Sequence, residues 1–276
     1  MEDSPGRVGR RPVIVGLLGL TGVAATAACS ASAGQPTASP SATTASATTG
    51  AAVPATTSAP SSPAPATTGP DGILHTPGAD VTSGPTTTNA VALTFHGQGD
   101  LTLAHRVLEV AAAHGAHLTI FAVGQWLAAT PSIGREIVAA GHDLGNHTWS
   151  HPTLTHLGPS AAAAEISRGA DAVRSSVGAP GLLFRPSGTP TSTATIRAAA
   201  AQSGYARCIS YDVDPLDYTD PGAAAVTSRT LAAVRSGSIV SLHLGHAGTA
   251  EALPAILDGL AAAHLNPVTL TQLLAS

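Results

Sequence analysis

The strongest constraint on the fold is the alternation of short apolar segments with helical ones from residue 89 to residue 276. Val91–Phe95 has the length and composition of a strand, and Leu101–His114 then carries apolar residues at the spacing of one helical face. Parallel strands need a crossover connection, usually a helix, so repeated units of this kind predict a parallel sheet. Six or seven such units predict a single α/β domain of barrel type.

The same pattern continues along the chain. Further strands are predicted at Leu118–Val123, Leu182–Phe184, Ala206–Ser210 and Ser238–Leu242. Further helices are predicted at Pro131–Ala140, Pro159–Val177, Thr193–Ser203, Gly222–Arg235, Thr249–Ala263 and Leu270–Ala275. Polar residues follow the strand ends, namely His96, His147 and His151, Arg185, Asp214 and Asp217, and His243. A parallel barrel carries its active site at the C-terminal edge of its strands, so these residues are predicted to share one pocket.

Two of these histidines, His147 and His151, stand four residues apart. Imidazoles at this spacing can grip one metal ion. Pro152 disfavours helical geometry at His151, so the pair is predicted to lie on a loop or a single turn after a strand. The chain contains 12 His, so such a pair can also arise by chance, and its interpretation depends on the neighbouring motifs.

The first 29 residues are typical of an export signal. Arg10 and Arg11 precede the apolar run Val13–Ala28, which ends at Cys29. Thr26–Cys29 resembles a bacterial lipobox and predicts lipidation of Cys29, with a plain cleaved signal as the alternative. The paired arginines leave a twin-arginine route open.

The next segment has the composition of a linker. Residues 30–69 consist almost entirely of Ala, Ser, Thr, Pro and Gly and contain no charged residue. Such a segment buries too little apolar surface to offset chain entropy. Residues 71–88 remain irregular, with several Gly and Pro. A disordered linker is therefore predicted over residues 30–88, with the domain boundary near Asn89.

Charge and cysteine content exclude other classes of protein. The formal net charge is −4 and the sequence contains no Lys, so no basic patch is available for nucleic acid. Cys208 is the only cysteine after Cys29, which rules out a disulfide within the domain. A buried, inert thiol is predicted at Cys208.

Five motifs, in this order, resemble those of the polysaccharide deacetylases, the NodB-homology domain of carbohydrate esterase family 4. The resembling segments are Leu93–Gly97, Asn146–His151, Phe184–Pro186, Asp214–Tyr218 and Gly237–His243. The resemblance spans about residues 89–274 and implies a distorted (β/α)7 barrel. It also implies a divalent metal, preferably zinc, and hydrolysis of N-acetyl groups on sugars.

The resemblance assigns roles to residues of this chain. His147 and His151 would be metal ligands, and His243 would be the general acid. Asp214 or Asp217 would hold His243 in the required tautomer, and Arg185 would orient the base.

The chain departs from the family pattern at the first motif. His96-Gly97 stands where the family has two aspartates, the base and a metal ligand. The missing metal ligand could be supplied in three ways. His96 could act as a third ligand, Asp100 could fold back across the glycine-containing turn, or water could bind. We favour His96 as the ligand, with Asp100 as the base or as the partner of Arg185. The alternative for Asp100 is the N-cap of the helix that begins at Leu101.

Two further departures concern substrate contacts. The arginine motif lacks the aromatic residue whose amide holds the oxyanion in the family, and the amides of Ser187 or Gly188 are predicted to substitute. Tyr218 replaces Trp and keeps an aromatic wall for a sugar face.

Together with the export signal, the resemblance implies an exported, metal-dependent hydrolase of non-peptide carbon–nitrogen bonds that deacetylates a cell-wall glycan, either peptidoglycan or a chitin-like polymer. The alternative is a catalytically impaired, glycan-binding envelope lipoprotein of the same fold. Either protein is expected to be a monomer, held on the outer face of the cytoplasmic membrane through Cys29 or secreted.

Overall fold

The computed structural model describes residues 70–276. The predicted export signal, the lipidation of Cys29 and most of the predicted linker lie outside the described residues. Within residues 70–276, no helix is long and apolar enough to cross a membrane.

The described chain alternates strands and helices as the sequence predicts. The strands are β1 Ala90–Gly97, β2 Thr119–Ala122, β3 Asp143–Asn146, β4 Ile239–His243 and β5 Asn266–Pro267. The α-helices are α1 Pro70–His75, α2 Leu101–Ala113, α3 Gly124–Ala129, α4 Pro131–Ala139, α5 Pro159–Val177, α6 Ala194–Gln202, α7 Ala223–Ala233, α8 Ala247–Ala262 and α9 Leu270–Ala275. The short helix α3 was not predicted, because its six residues carry too few apolar positions to show a period.

The sheet is parallel, in the order β3-β2-β1-β4, and β5 pairs with the start of β1. The α/β class and the parallel sheet are therefore confirmed. β1 is the central strand, and His96 near its end pairs in register with His243 of β4. Ala122 at the end of β2 pairs with Asn146 at the end of β3, so the C-terminal strand ends align along one edge.

The region between β3 and β4, at the two ends of the sheet order, is irregular. Two predicted strands, Leu182–Phe184 and Ala206–Ser210, form only isolated bridges. Phe184 bridges to Asn146, and the Ile209 amide donates to the Phe184 carbonyl at 2.8 Å. Val213 then bridges to Val240 of β4. Only single bridges join the chain on this side, and Arg185 and Asp214 each directly follow a bridging residue.

Two residues that precede the predicted boundary near Asn89, Leu74 and Val81, pack against the domain that follows. Leu74 and Val81 are 3% and 5% exposed. Val81 donates to the Cys208 carbonyl at 2.9 Å and accepts from the Ser210 amide at 2.7 Å. These contacts span more than a hundred residues of sequence, and a segment with so few apolar residues has no local pattern that reveals them.

The core lies between the sheet and its covering helices. Leu93 and Phe95 of β1, Ile120 of β2 and Leu242 of β4 are fully buried. Cys208 is also buried, forms no disulfide within residues 70–276, and has a thiol pKa that burial raises to about 11. The predicted burial of Cys208 is confirmed.

Candidate metal centre and its pocket

Three histidines meet at the C-terminal edge of the sheet. His96 lies near the end of β1, and His147 and His151 lie on the loop after β3. Their ligating nitrogens all lie within 4.8 Å of one another. The His147 ring is 4.3 Å from that of His96 and 4.8 Å from that of His151, between centroids. The structure thus brings together the three predicted ligands.

The cluster fits a metal ion, as the hydrogen bonding of His147 shows. Its Nδ1 lies 2.8 Å from the Arg185 carbonyl oxygen and donates to it, which leaves the lone pair on Nε2. Nε2 is buried and has no hydrogen-bond partner in the described part of the chain. A metal ion held by the three histidines would satisfy this orphaned nitrogen.

Electrostatics keep the three imidazoles in the neutral form that binds metals. Burial, reinforced by neighbouring positive groups, lowers the pKa of His96 and of His147 well below 6.5. Burial and the proximity of His243 also lower the pKa of His151. Neutral imidazole is the ligating form, so no proton has to be displaced near neutral pH.

The loop that carries the histidine pair is held by helix α5. The Asn146 side chain donates to the Ile166 carbonyl at 2.9 Å and accepts from the Thr148 amide at 2.9 Å. Gly169 permits this contact, because a Cβ there would lie 2.1 Å from the Asn146 Oδ1. Thr148 and His151 have positive φ values of 68° and 58°, so the pair sits on a turn rather than a helix, as predicted.

Two side chains of α5 that sequence reasoning missed also fix this loop. Glu165 accepts hydrogen bonds from the amides of Trp149 and Ser150, at 3.2 and 2.8 Å. The Arg168 guanidinium lies 4.3 Å from the Trp149 ring centroid. In the sequence, both residues have the pattern of the solvent-exposed face of an amphipathic helix. No local pattern distinguishes them from ordinary surface residues.

His243 and Asp217 form a hydrogen-bonded pair beside the cluster. The imidazole Nδ1 lies 2.7 Å from Asp217 Oδ1, and Asp217 Oδ2 accepts from the His243 amide at 2.8 Å and the Thr249 hydroxyl at 2.6 Å. Asp217 is 1% exposed. Of the two predicted carboxylates, Asp217 is therefore the one that orients His243. The His243 ring lies 4.3 Å from that of His96.

Asp214 and Asp100 occupy different places. Asp214 lines the pocket, and its carboxylate accepts from the Leu216 amide at 2.9 Å. Asp100 is exposed and accepts from the Thr102 amide at 2.6 Å, which caps α2 and lowers the pKa of the carboxyl group. The cap is thus the role the structure shows for Asp100. Asp100 therefore fills neither of its other two predicted roles, the catalytic base and the partner of Arg185. The Thr102 amide at the start of α2 already holds its carboxylate.

The histidines open into a pocket of about 390 Å³. His96, His151, Arg185, Gly188, Asp214, Tyr218, His243 and His246 are among the residues that line it. Tyr218 is 47% exposed and its ring lies 5.3 Å from that of His243, a position suited to a sugar face.

Ser187 is buried behind the pocket wall, where its hydroxyl donates to the Pro152 carbonyl and accepts from the Thr148 hydroxyl. Of the two predicted oxyanion donors, only Gly188 lines the pocket.

Comparison with known proteins identifies relatives. A family profile described as polysaccharide deacetylase matches residues 83–208. A chitooligosaccharide deacetylase from Bradyrhizobium sp. is 35% identical over 161 residues, 58% of this chain and 72% of that protein. A peptidoglycan-N-acetylglucosamine deacetylase from Bacillus cereus is 29% identical over 194 residues, 69% of this chain and 90% of that protein. A carbohydrate esterase family 4 pseudoenzyme from Bacillus anthracis superposes with a TM-score of 0.66 at 22% identity, covering 71% of this chain and 69% of that one, which shows the shared fold.

Proposed function

Because this chain belongs to the polysaccharide deacetylase family, we propose that it is a metal-dependent amidohydrolase that removes acetyl groups from an N-acetylated glycan. The observation that carries the proposal is that a histidine cluster and a hydrogen-bonded Asp–His pair lie at the same pocket. The three-histidine cluster supplies neutral metal ligands, and the buried Asp217 orients the imidazole of His243 beside it.

His96, His147 and His151 would hold the cation, and their donor set favours zinc. A bound divalent cation polarises an amide carbonyl and lowers the pKa of water. The Arg185 carbonyl fixes the His147 tautomer from behind, a contact of the kind that orients metal ligands in other sites.

His243 supplies the proton for the leaving amine. Asp217 accepts the Nδ1 hydrogen and stabilises the imidazolium, so the proton on Nε2 is the one available for transfer. Asp214 is the only carboxylate among the pocket-lining residues, so a base from the described part of this chain would be Asp214.

The relatives and the pocket both support the proposed substrate class. Both curated relatives are named for deacetylation of N-acetylglucosamine polymers or oligomers, and the exposed Tyr218 ring offers a surface for a pyranose face. We propose a cell-wall glycan as the substrate. The apolar run before Cys29 supports export, with a lipid anchor at Cys29.

The test is acetate release from chitooligosaccharide and from peptidoglycan by the purified protein. Activity is expected with added zinc, and His243→Asn should lower the rate at least about a hundredfold because the general acid is lost. His246→Asn is the matched control, because His246 lines the same pocket and is held by a different carboxylate, Asp220. Equal rates for the two variants would contradict the assignment of His243.

One observation favours the alternative, an impaired glycan-binding protein. No carboxylate belongs to the described histidine cluster, and Asp100 is turned away to cap α2. Saturable glycan binding without acetate release under any divalent metal would establish this alternative. Turnover would exclude it.

A further inference from the structure

Arg185 is a buried cation with an incomplete set of hydrogen bonds. The residue is 1% exposed. Its Nε donates to the Ile209 carbonyl at 3.4 Å, and Nη2 donates to the Ser210 carbonyl at 3.0 Å. Nη1 is buried and has no hydrogen-bond partner among residues 70–276. A buried charged group in this state is costly unless an acceptor is supplied.

The remaining contacts of Arg185 do not neutralise its charge. The guanidinium carbon lies 4.3 Å from the Phe121 ring centroid and 5.4 Å from that of Tyr211. These aromatic contacts supply no hydrogen-bond acceptor in the ring plane of either residue for Nη1, which stays unpaired within the described part of the chain. Burial lowers the pKa of Arg185 to about 9, against the opposing influence of Tyr211 and Asp214. The group is still a cation at neutral pH.

No carboxylate of the described chain contacts this cation. Among residues 70–276, Arg185 takes part in no ion pair within 4.0 Å. Asp217 is engaged by His243 and Thr249, and Asp100 caps α2. Asp214 lines the same pocket and acts on Arg185 only over a longer distance. His96 stands close enough for the positive charge of Arg185 to disfavour its protonation.

We propose that Arg185 is the binding site for the carboxylate of a ligand that occupies this pocket. A carboxylate oxygen accepts from Nη1, which supplies the missing acceptor and forms a charge-assisted hydrogen bond. Arg185 forms part of the pocket wall, while Nη1 itself lies beneath the surface. Binding therefore requires local adjustment of the wall, and an affinity in the millimolar range is expected.

Two sources could supply the carboxylate. One is a small free acid, of which acetate is an example, and as the product of deacetylation this source rests on the proposed function. The other is a carboxylate carried by the glycan itself. The chemistry at Arg185 is the same in both cases, so separate probes are needed.

The experiment measures anion binding in chelator-treated, metal-free protein, so neither turnover nor a metal enters the readout. Sodium acetate and sodium formate are titrated against sodium chloride at equal ionic strength, and the melting temperature and heat of binding are recorded. Saturable stabilisation by the carboxylates beyond that of chloride is expected. Equal effects of all three salts would overturn the proposal, and so would the absence of any saturable effect.

A matched pair of variants at position 96 tests the location. His96→Asp places a carboxylate near Arg185 and is expected to lower the acetate affinity at least tenfold, because an internal anion competes. His96→Asn removes the same imidazole without adding charge and should retain the affinity. This pair leaves the buried arginine intact, so the test does not depend on folding of an Arg185 variant. Equal affinities in both variants would refute the assignment to Arg185.

The source is identified with two sugars. N-acetylmuramic acid carries a lactyl carboxylate that N-acetylglucosamine lacks. Tighter binding of the acid sugar, weakened in His96→Asp, supports a glycan carboxylate as the ligand. Binding of acetate without preference between the sugars supports the small acid. If no carboxylate binds, the proposal fails, whereas metal-dependent deacetylation is unaffected by that result.

Discussion

Replacement of Asp217 by Asn should damage both stability and catalysis. Asp217 accepts three hydrogen bonds, at 2.7, 2.8 and 2.6 Å, from the His243 ring, the His243 amide and the Thr249 hydroxyl. Asn offers a single acceptor oxygen. If that oxygen keeps the amide and the hydroxyl, the amide NH2 group faces Nδ1 of His243. A neutral hydrogen bond from this NH2 group to a deprotonated Nδ1 then replaces the charge-assisted one, which costs about 1 kcal/mol of unfolding free energy.

The same change removes the proton-donating form of His243. The NH2 group of Asn repels a protonated Nδ1, so the imidazolium is no longer stabilised, and acetate release should fall by roughly 10² to 10⁴. Urea unfolding and a coupled acetate assay measure the two effects. Asp220→Asn is the control, because the Asp220–His246 pair has a similar 2.8 Å contact but Asp220 is 70% exposed. Such a surface pair contributes about 0 to 1 kcal/mol. If Asp217→Asn released acetate at a rate within threefold of that of the unmodified protein, the role given to this carboxylate would be refuted.

Other predictions concern pH and packing. Burial holds the pKa of His142 at about 4 in the folded protein, below the ordinary value of 6.5, so the unfolded chain binds the proton first as the pH falls. Stability present above pH 6.5 should therefore decline toward pH 4, by about 3 kcal/mol from this group. Urea titrations at several pH values measure how the free energy of unfolding changes with pH. His142→Gln should make this change smaller between pH 6.5 and pH 4, and an unchanged pH dependence would contradict the role given to His142. Gly169→Ala places a Cβ 2.1 Å from the Asn146 Oδ1 and should lower stability by about 1 to 3 kcal/mol. Gly158→Ala is the control, because no heavy atom of the described residues lies within 4 Å of a Cβ there, and its melting temperature should stay close to that of the unmodified protein. Equal melting temperatures of the two variants would argue against close packing of α5 on the loop that carries His147 and His151.

The sequence was informative where function depends on strand ends. Because parallel strands end along one edge, His96, His147, His151 and His243 could be assigned to one pocket from their positions after predicted strands. The structure brings these four imidazoles together. The parallel sheet followed from the alternation of segments for the same reason.

Choices between neighbouring carboxylates were not accessible in this way. Asp214 and Asp217 lie three residues apart, and only the short 3-10 turn Asp217–Thr219, entered through a left-handed Leu216, directs Asp217 at His243. Asp100 had two plausible partners, and the adjacent Thr102 amide holds it because no loop has to close for that contact.

Long-range contacts account for what the sequence did not show. Val81 pairs with residues near Ile209, and Glu165 of α5 holds the amides of Trp149 and Ser150. Each contact joins segments that are distant in sequence and have no shared period. Such supports are visible only once the chain is folded.

The central claim is that His96 completes a metal site with His147 and His151, and metal titration of the purified protein tests it most directly. We predict one zinc ion per chain, removed by a chelator with a fall in melting temperature. His96→Gln should weaken zinc binding at least tenfold, while His105→Gln, at an exposed histidine paired with Glu136, should leave it unchanged. Metal-free protein of full stability, or zinc affinity indifferent to His96→Gln, would contradict the account.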